Sequence, residues 1–123
     1  MPTQEIKSAN WRAFCEKFLE LHRGTLMTVR QLNPNGHFNE VARDMPLTEI
    51  WFESGACNDQ LFLNFQQDGK REITHEIIGP IHVKLREEAA GHKGLQIDAE
   101  NGSTLVLFHS GKLPELLRSI KEA

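Results

Sequence analysis

The sequence predicts an α+β domain: an antiparallel β-meander of six to eight strands, strongly curved or partly closed, with one helix packed on it from each end of the chain. Three observations predict it. Apolar residues recur at helical spacing near both termini, the interior alternates apolar and polar residues between clusters of turn formers, and the last third spells a tight hairpin.

Residues 1–7 read as a flexible lead-in to a single domain spanning residues 1–123. From Ser8 to Arg23, the residues Trp11, Phe14, Cys15, Phe18 and Leu21 follow one another at intervals of three and four, with Ser8 placed as N-cap and Gly24 as the stop. Thr25 to Leu32 is rich in β-branched and apolar residues and ends at Asn33-Pro34-Asn35-Gly36, so it reads as a strand. Val41 to Met45 is a short segment closed by Pro46. Leu47 to Ser54 is a stronger strand, with Ile50 and Phe52 on one side and Trp51 on the other. After a turn at Gly55 to Asp59, Leu61, Leu63 and Phe65 alternate with Phe62 and Asn64 as far as Gln67-Asp68-Gly69-Lys70.

Glu72 to Ile78 and Ile81 to Arg86 follow as strands divided by Gly79-Pro80. In the second, Ile81, Val83 and Leu85 point one way and His82, Lys84 and Arg86 the other. Ala89 to Gly94 is a loop. Leu95 to Ala99 and Thr104 to Phe108 then flank an Asn101-Gly102 turn, whose two-residue loop pairs Glu100 with Ser103, Ile97 with Val106 and Leu95 with Phe108. Leu95, Ile97, Val106 and Phe108 share a face; Gln96, Asp98, Leu105 and Leu107 share the other. Leu113, Leu116, Leu117 and Ile120 repeat at helical spacing and predict the C-terminal helix. Apolar side chains on both faces call for two covers, which the two helices supply, either on opposite faces or with the meander curling as in the element order of the pleckstrin-homology superfold.

Composition narrows the function classes. Fourteen Lys and Arg against seventeen Asp and Glu give a formal charge of -3 without a run of like charge, which disfavours nucleic acid and anionic membrane as partners. No stretch has the length of a membrane span and none has a leader pattern, so cytoplasm is the expected compartment. Cys15 and Cys57 are too few for a disulfide framework or a zinc ribbon; both read as thiols, with Cys15 on the apolar helical stripe and Cys57 in an exposed turn.

Trp11 and Phe14 on the first helix, His75, Ile77 and Pro80 around a strand junction, and Asp98 with Gly102 in the last hairpin resemble the pattern of an uncharacterised bacterial family of small domains. The match runs from Asn10 to Phe108. Gly79 departs from it, as does the C-terminal helix. That family carries no assigned activity, so the resemblance implies a fold and no chemistry.

Six histidines raise the question of acid-base or metal chemistry. No H-E-x-x-H, H-x-H or C-x-x-C spacing answers it, and neither a metal nor a cofactor is expected. His75 has the phase of Ile73 and Ile77, which makes it an inward, half-buried His bonded to a backbone carbonyl or, alternatively, the centre of a ligand site with Glu76 or Asp98. His82, Lys84 and Arg86 form a basic stripe that is either a solvated face or a seat for an anionic ligand or acidic partner. Asp98, placed opposite Leu105, needs a partner or an upward pKa shift if a helix covers it. Trp51, Phe62, Leu105 and Leu107 fall on the second face, where they are either a mini-core or an interface. The reading that follows is a small non-catalytic binding or protein-interaction module that meets a second copy or another protein through a sheet face or edge. The alternative is an enzyme or a metal-dependent small-ligand domain built on His75.

Overall fold

The computed structural model describes residues 3–55, 57–67, 69–87, 92–100 and 102–109. The helix expected over Leu113 to Ile120 lies outside them. In chain order the elements are β1 (Thr3–Ile6), a 3-10 turn (Ser8–Asn10), α1 (Trp11–His22), β2 (Leu26–Leu32), β3 (Phe38–Glu53), β4 (Gln60–Gln67), β5 (Arg71–Ile78), β6 (Pro80–Glu87), β7 (His92–Ala99) and β8 (Gly102–His109). The strands form one antiparallel sheet in the order β1-β6-β7-β8-β2-β3-β4-β5, with α1 packed on it.

Two expectations at the edges of the chain change. Residues 3–6, read as flexible, are a strand whose Thr3 pairs with Arg86 and whose Ile6 pairs with Val83. Ser8 lies inside the 3-10 turn rather than capping α1, and the position before Trp11 is held by Asn10, whose side chain makes no capping bond. The entry to α1 is fixed instead by the Trp11 indole, which donates to the Ile6 carbonyl at 2.9 Å.

The sheet is open and is not curled strand by strand into a barrel, contrary to the strongly curved or partly closed meander expected. Its change of direction is concentrated in β3, a single strand of 16 residues that runs straight through Pro46. Phe38 to Pro46 pair with β2, while Leu47 to Glu53 pair with β4. Pro46 is tolerated because it sits where the strand leaves one partner for the other, and the adjacent Leu47 bonds to Gly24 and Thr25 instead. Register shifts place extra residues in β3 at Val41, at Arg43 and Asp44, and at Thr48. An extra residue bends and twists its strand, and three in succession turn β3 into a corner. Asp44 reaches a positive φ of 50° there, and its amide donates to the Thr28 hydroxyl at 3.2 Å. Thr48 donates to the Asn64 carbonyl at 3.0 Å.

The corner divides the sheet into a first ladder, β1-β6-β7-β8-β2 with the start of β3, and a second, the end of β3 with β4 and β5. In a flat sheet β5 and β8 would stand four strand spacings, roughly 19 Å, apart. His75 of β5 nonetheless reaches Thr104 of β8 at 3.0 Å, so the ladders face each other. A single residue, Gly79 with φ 67°, carries the chain from β5 at one edge to β6 near the other.

The inward side chains make one core. Met27, Val29, Met45, Leu47, Leu61, Leu63, Phe65, Val83, Leu95, Ile97 and Val106 are all essentially inaccessible. Trp11, Cys15 and Phe18 of α1 close it, with Trp11 edge-on to Phe52 at 5.7 Å and Phe18 edge-on to Phe108 at 5.4 Å. Thus α1 reaches from the second ladder to the first. Only this inward face is covered among the described residues; Trp51, Phe62, Leu105 and Leu107, read as a mini-core or an interface, are half-buried on the other side of the sheet, and the C-terminal helix offered as a cover lies outside the described residues. Ile81, expected inward, is 50% exposed, because a bulge between Pro80 and His82 throws it out of phase.

The terminal hairpin keeps its faces but not its register. Ala99 pairs with Gly102, Ile97 with Thr104 and Leu95 with Val106, a shift of two residues that preserves which side chains point inward. Gly102 is needed by its neighbour rather than by the turn: with φ 135°, an added Cβ would stand 2.4 Å from the Leu32 carbonyl oxygen. Gly102→Ala is expected to cost about 2 kcal/mol of stability, read by urea unfolding, through backbone strain and displacement of β2.

Candidate functional site

His75 projects inward from β5, flanked in phase by Ile73 and Ile77, and its Nε2 lies 3.0 Å from the Thr104 hydroxyl. The expected backbone carbonyl partner is replaced by this side chain, which is itself only 3% exposed. Burial lowers the His75 pKa from its ordinary value, so the neutral ring is favoured. Glu76 points to the opposite side of β5, where it is hydrogen-bonded to Gln60. The cavity beside Thr104, also lined by Gln31, Glu76, Ile77, Ile78, Ala99 and Gly102, measures about 60 Å³. That is room for about two water molecules and not for a metabolite.

His82, Lys84, Arg86 and Asp98 come together elsewhere, on the outward face of the first ladder. There His82 pairs with Asp98 and Lys84 with Gln96 across β6 and β7, and Asp98 pairs with Ser103 across β7 and β8. The basic stripe is already engaged. His82 Nδ1 is 2.6 Å from Glu5 Oε2, Lys84 Nζ is 3.7 Å from Asp98 Oδ2, and Arg86 donates to Gln96 Oε1 at 3.3 Å. The corrected hairpin register gives Asp98 the partner it needs: Ser103 donates to it at 2.8 Å and Gln96 at 2.9 Å. Burial alone would raise the Asp98 pKa; those two hydrogen bonds, with the charges of Lys84 and His82, more than offset it and hold the carboxyl below its usual value. No outward basic pocket remains for an anion among these bonded groups.

His75 and Asp98 therefore do not converge. One faces the core from β5, the other faces outward from β7, and β8 lies between them. A concavity of about 630 Å³ runs along α1 beside Glu16, Lys17, Glu20 and Arg23 and contains neither. A smaller one of about 440 Å³ lies by Glu5, Ser8, Trp11, Ile81 and His82. Among the described residues no three His, Cys, Asp or Glu side chains gather as metal donors.

The four apolar candidates separate into two patches. Trp51 and Phe62 stack on the outward face of the second ladder, ring centroids 4.8 Å apart and planes within 12° of parallel, with the indole donating to Glu53 at 3.0 Å. Leu105 and Leu107 lie on the outward face of the first ladder, opposite Arg30 and Thr28 of β2 and beside Gly94 of β7. Because the sheet turns at β3, no single flat surface holds both pairs. Thr104, Ser103 and Glu5 were not anticipated. Thr104 carried a signal, since it is a polar residue in phase with Val106 and Phe108 and so must meet a polar partner in the core.

Comparison with family models, curated proteins and solved structures returns no match.

Two outcomes follow from these environments. Since His75 binds its proton less readily folded than unfolded, stability is full above about pH 6.5, the ordinary imidazole value, and falls as the pH drops below it. His75→Gln flattens that slope in denaturant titrations at several pH values, and Thr104→Val costs about 1–2 kcal/mol by orphaning the ring nitrogen. Cys15 is buried, which together with Glu16 pushes its pKa up to about 12, whereas Cys57 is exposed. Iodoacetamide at neutral pH is expected to modify Cys57 alone until the chain is unfolded, as read by peptide mass spectrometry.

Proposed function

We propose that the chain is a small, non-catalytic protein-interaction module that associates through its β-sheet, with a second copy of itself as the partner. The observation that carries this reading is where the polar and apolar candidates sit. The groups capable of acid-base work are spent on one another: His75 on Thr104, His82 on Glu5, Asp98 on Ser103 and Gln96. Bonds of this kind fix strand to strand; of these groups only His82 and Glu5 border a described space of substrate size, about 440 Å³, and there they are bonded to each other. The stacked Trp51 and Phe62, by contrast, keep part of their apolar surface toward solvent, an arrangement that gains free energy only when another surface meets it.

The enzyme reading needs His75 within reach of a carboxylate, and neither Glu76 nor Asp98 points toward it. Light scattering and cross-linking of the full chain are expected to show a mass that rises with concentration, and native mass spectrometry a polypeptide carrying no metal or small molecule. A chain that stays monomeric throughout, or one that purifies with a metabolite whose removal lowers thermal stability, would overturn the proposal.

A further inference from the structure

The second ladder ends at β5, and the backbone of that strand decides how two copies could meet. Gly79 donates its amide to the Asp59 carbonyl at 2.8 Å, directly continuing the β4–β5 pairing. In an antiparallel ladder, alternate residues turn both backbone groups to the same neighbour, so Ile77, His75, Ile73 and Arg71 bond to β4. Glu72, Thr74, Glu76 and Ile78 consequently turn their N–H and C=O groups outward, where no further strand pairs with β5 among the described residues.

Among the described residues this edge has few of the usual defences against pairing. Over eight residues its register with β4 shows no shift, and it contains neither Pro nor Lys. Its two acids are drawn back over β4, Glu72 by Asn64 and Gln66 at 3.0 and 3.2 Å, and Glu76 by Gln60. The opposite edge is different, since β1 has only four residues.

We propose that β5 is the self-association edge, pairing antiparallel with β5 of a second copy about a two-fold axis at His75, to join the two sheets into one. The proposal rests on the self-association reading above and names the element responsible. Two independent requirements select the same register. Outward groups must oppose outward groups, and the arrangement centred on His75 sets Thr74 against the second copy's residue 76 and Glu72 against its residue 78, four bonding pairs in all. Centring on Thr74 or on Glu76 yields only three. Centring on Thr74 also sets residue 72 against residue 76 of the other copy, acid against acid, and centring on Glu76 sets that acid against itself. With the axis at His75, like charges do not oppose one another, and Ile73 meets residue 77 of the other chain. The outward row Trp51, Phe62, Glu76 runs across the strands to this edge, so the surface of the second ladder would continue across the join.

The register makes opposite predictions for two charges at one position. Thr74→Glu places an acid against residue 76 of the second copy twice over, and should weaken the dimer about tenfold or more. Thr74→Lys places a base there and should leave association at least as tight as in the unmodified chain. Both lose the bond from Asn64 to the Thr74 hydroxyl, and because Glu72 and Glu76 flank the position on the same face, urea unfolding of each dilute variant separates a change in fold stability from a change in association. Sedimentation from about 10 to about 500 µM reads the result, with a dimer at twice the monomer's 14.0 kDa expected for the unmodified chain. Equal behaviour of the two variants, or a chain that never dimerises, overturns the β5 edge as interface. If a dimer forms that responds to Trp51→Ser with Phe62→Ser and not to charge at position 74, the interaction module stands and the edge does not.

Discussion

The corner in β3 governs everything else in this molecule. One strand serves both ladders, and the residues that bend it are the ones excluded from pairing: Val41, Arg43 with Asp44, and Thr48. A straight β3 would leave β4 and β5 extending away from β8, and the inward side chains of the second ladder, Leu61, Leu63 and Phe65, would face only α1. Bent, the strand gathers those residues into one core with Val106 and Ile97 and gives a short sheet the interior of a two-layer protein. The strained φ of Asp44 is the local cost of that geometry, and the hydrogen bonds between Thr28 and Asp44 hold it.

Polar groups at the seam between the ladders act as its fasteners. His75 and Thr104 join the second ladder to the first inside the core, and Thr48 and Asn64 tie the corner from outside. Asn64 is 5% exposed although it lies in the outward phase, because Glu72, Thr74 and Gln66 close over it. Such satisfied networks rigidify a sheet, and an unpaired member would cost more than the bond gains. The same physical logic separates structure from function here: a polar side chain fully engaged in bracing strands is a poor candidate for chemistry.

Most strands were legible because alternation and turn formers are local signals. Gly24, Asn33 to Gly36, Gly55 to Asp59, and Gly79-Pro80 all punctuate the chain where expected. What escaped were features set by non-local pairing. Thr3 to Ile6 have little intrinsic strand character and become β1 only because β6 offers an edge. Pro46 suggested a break, yet it sits inside a continuous strand because the corner removes the need for its amide. The hairpin's faces followed from periodicity of two, whereas its register depended on the close approach of Leu32 to Gly102, which local sequence does not encode. The site residues divide in the same way. Orientation of His75, His82, Lys84 and Arg86 was readable from phase, but the identity of their partners required knowing that β5 faces β8 and β1 lies on β6.

Gly79 links β5 directly to β6, while β3 is common to both ladders, so the chain crosses between the two halves twice. Neither half can be assembled and set aside while the other is built. Glu5 meets His82 across 77 positions of sequence, so that ordering β1 requires a large loop to close before any reward is collected. This topology has hairpin pairings between sequence neighbours but also needs the distant β2–β8 and β1–β6 pairs to close, which places its refolding among the slow all-β cases, on the order of milliseconds to seconds. It also denies the chain a half-folded resting state, since melting the second ladder would uncover the interior of the first.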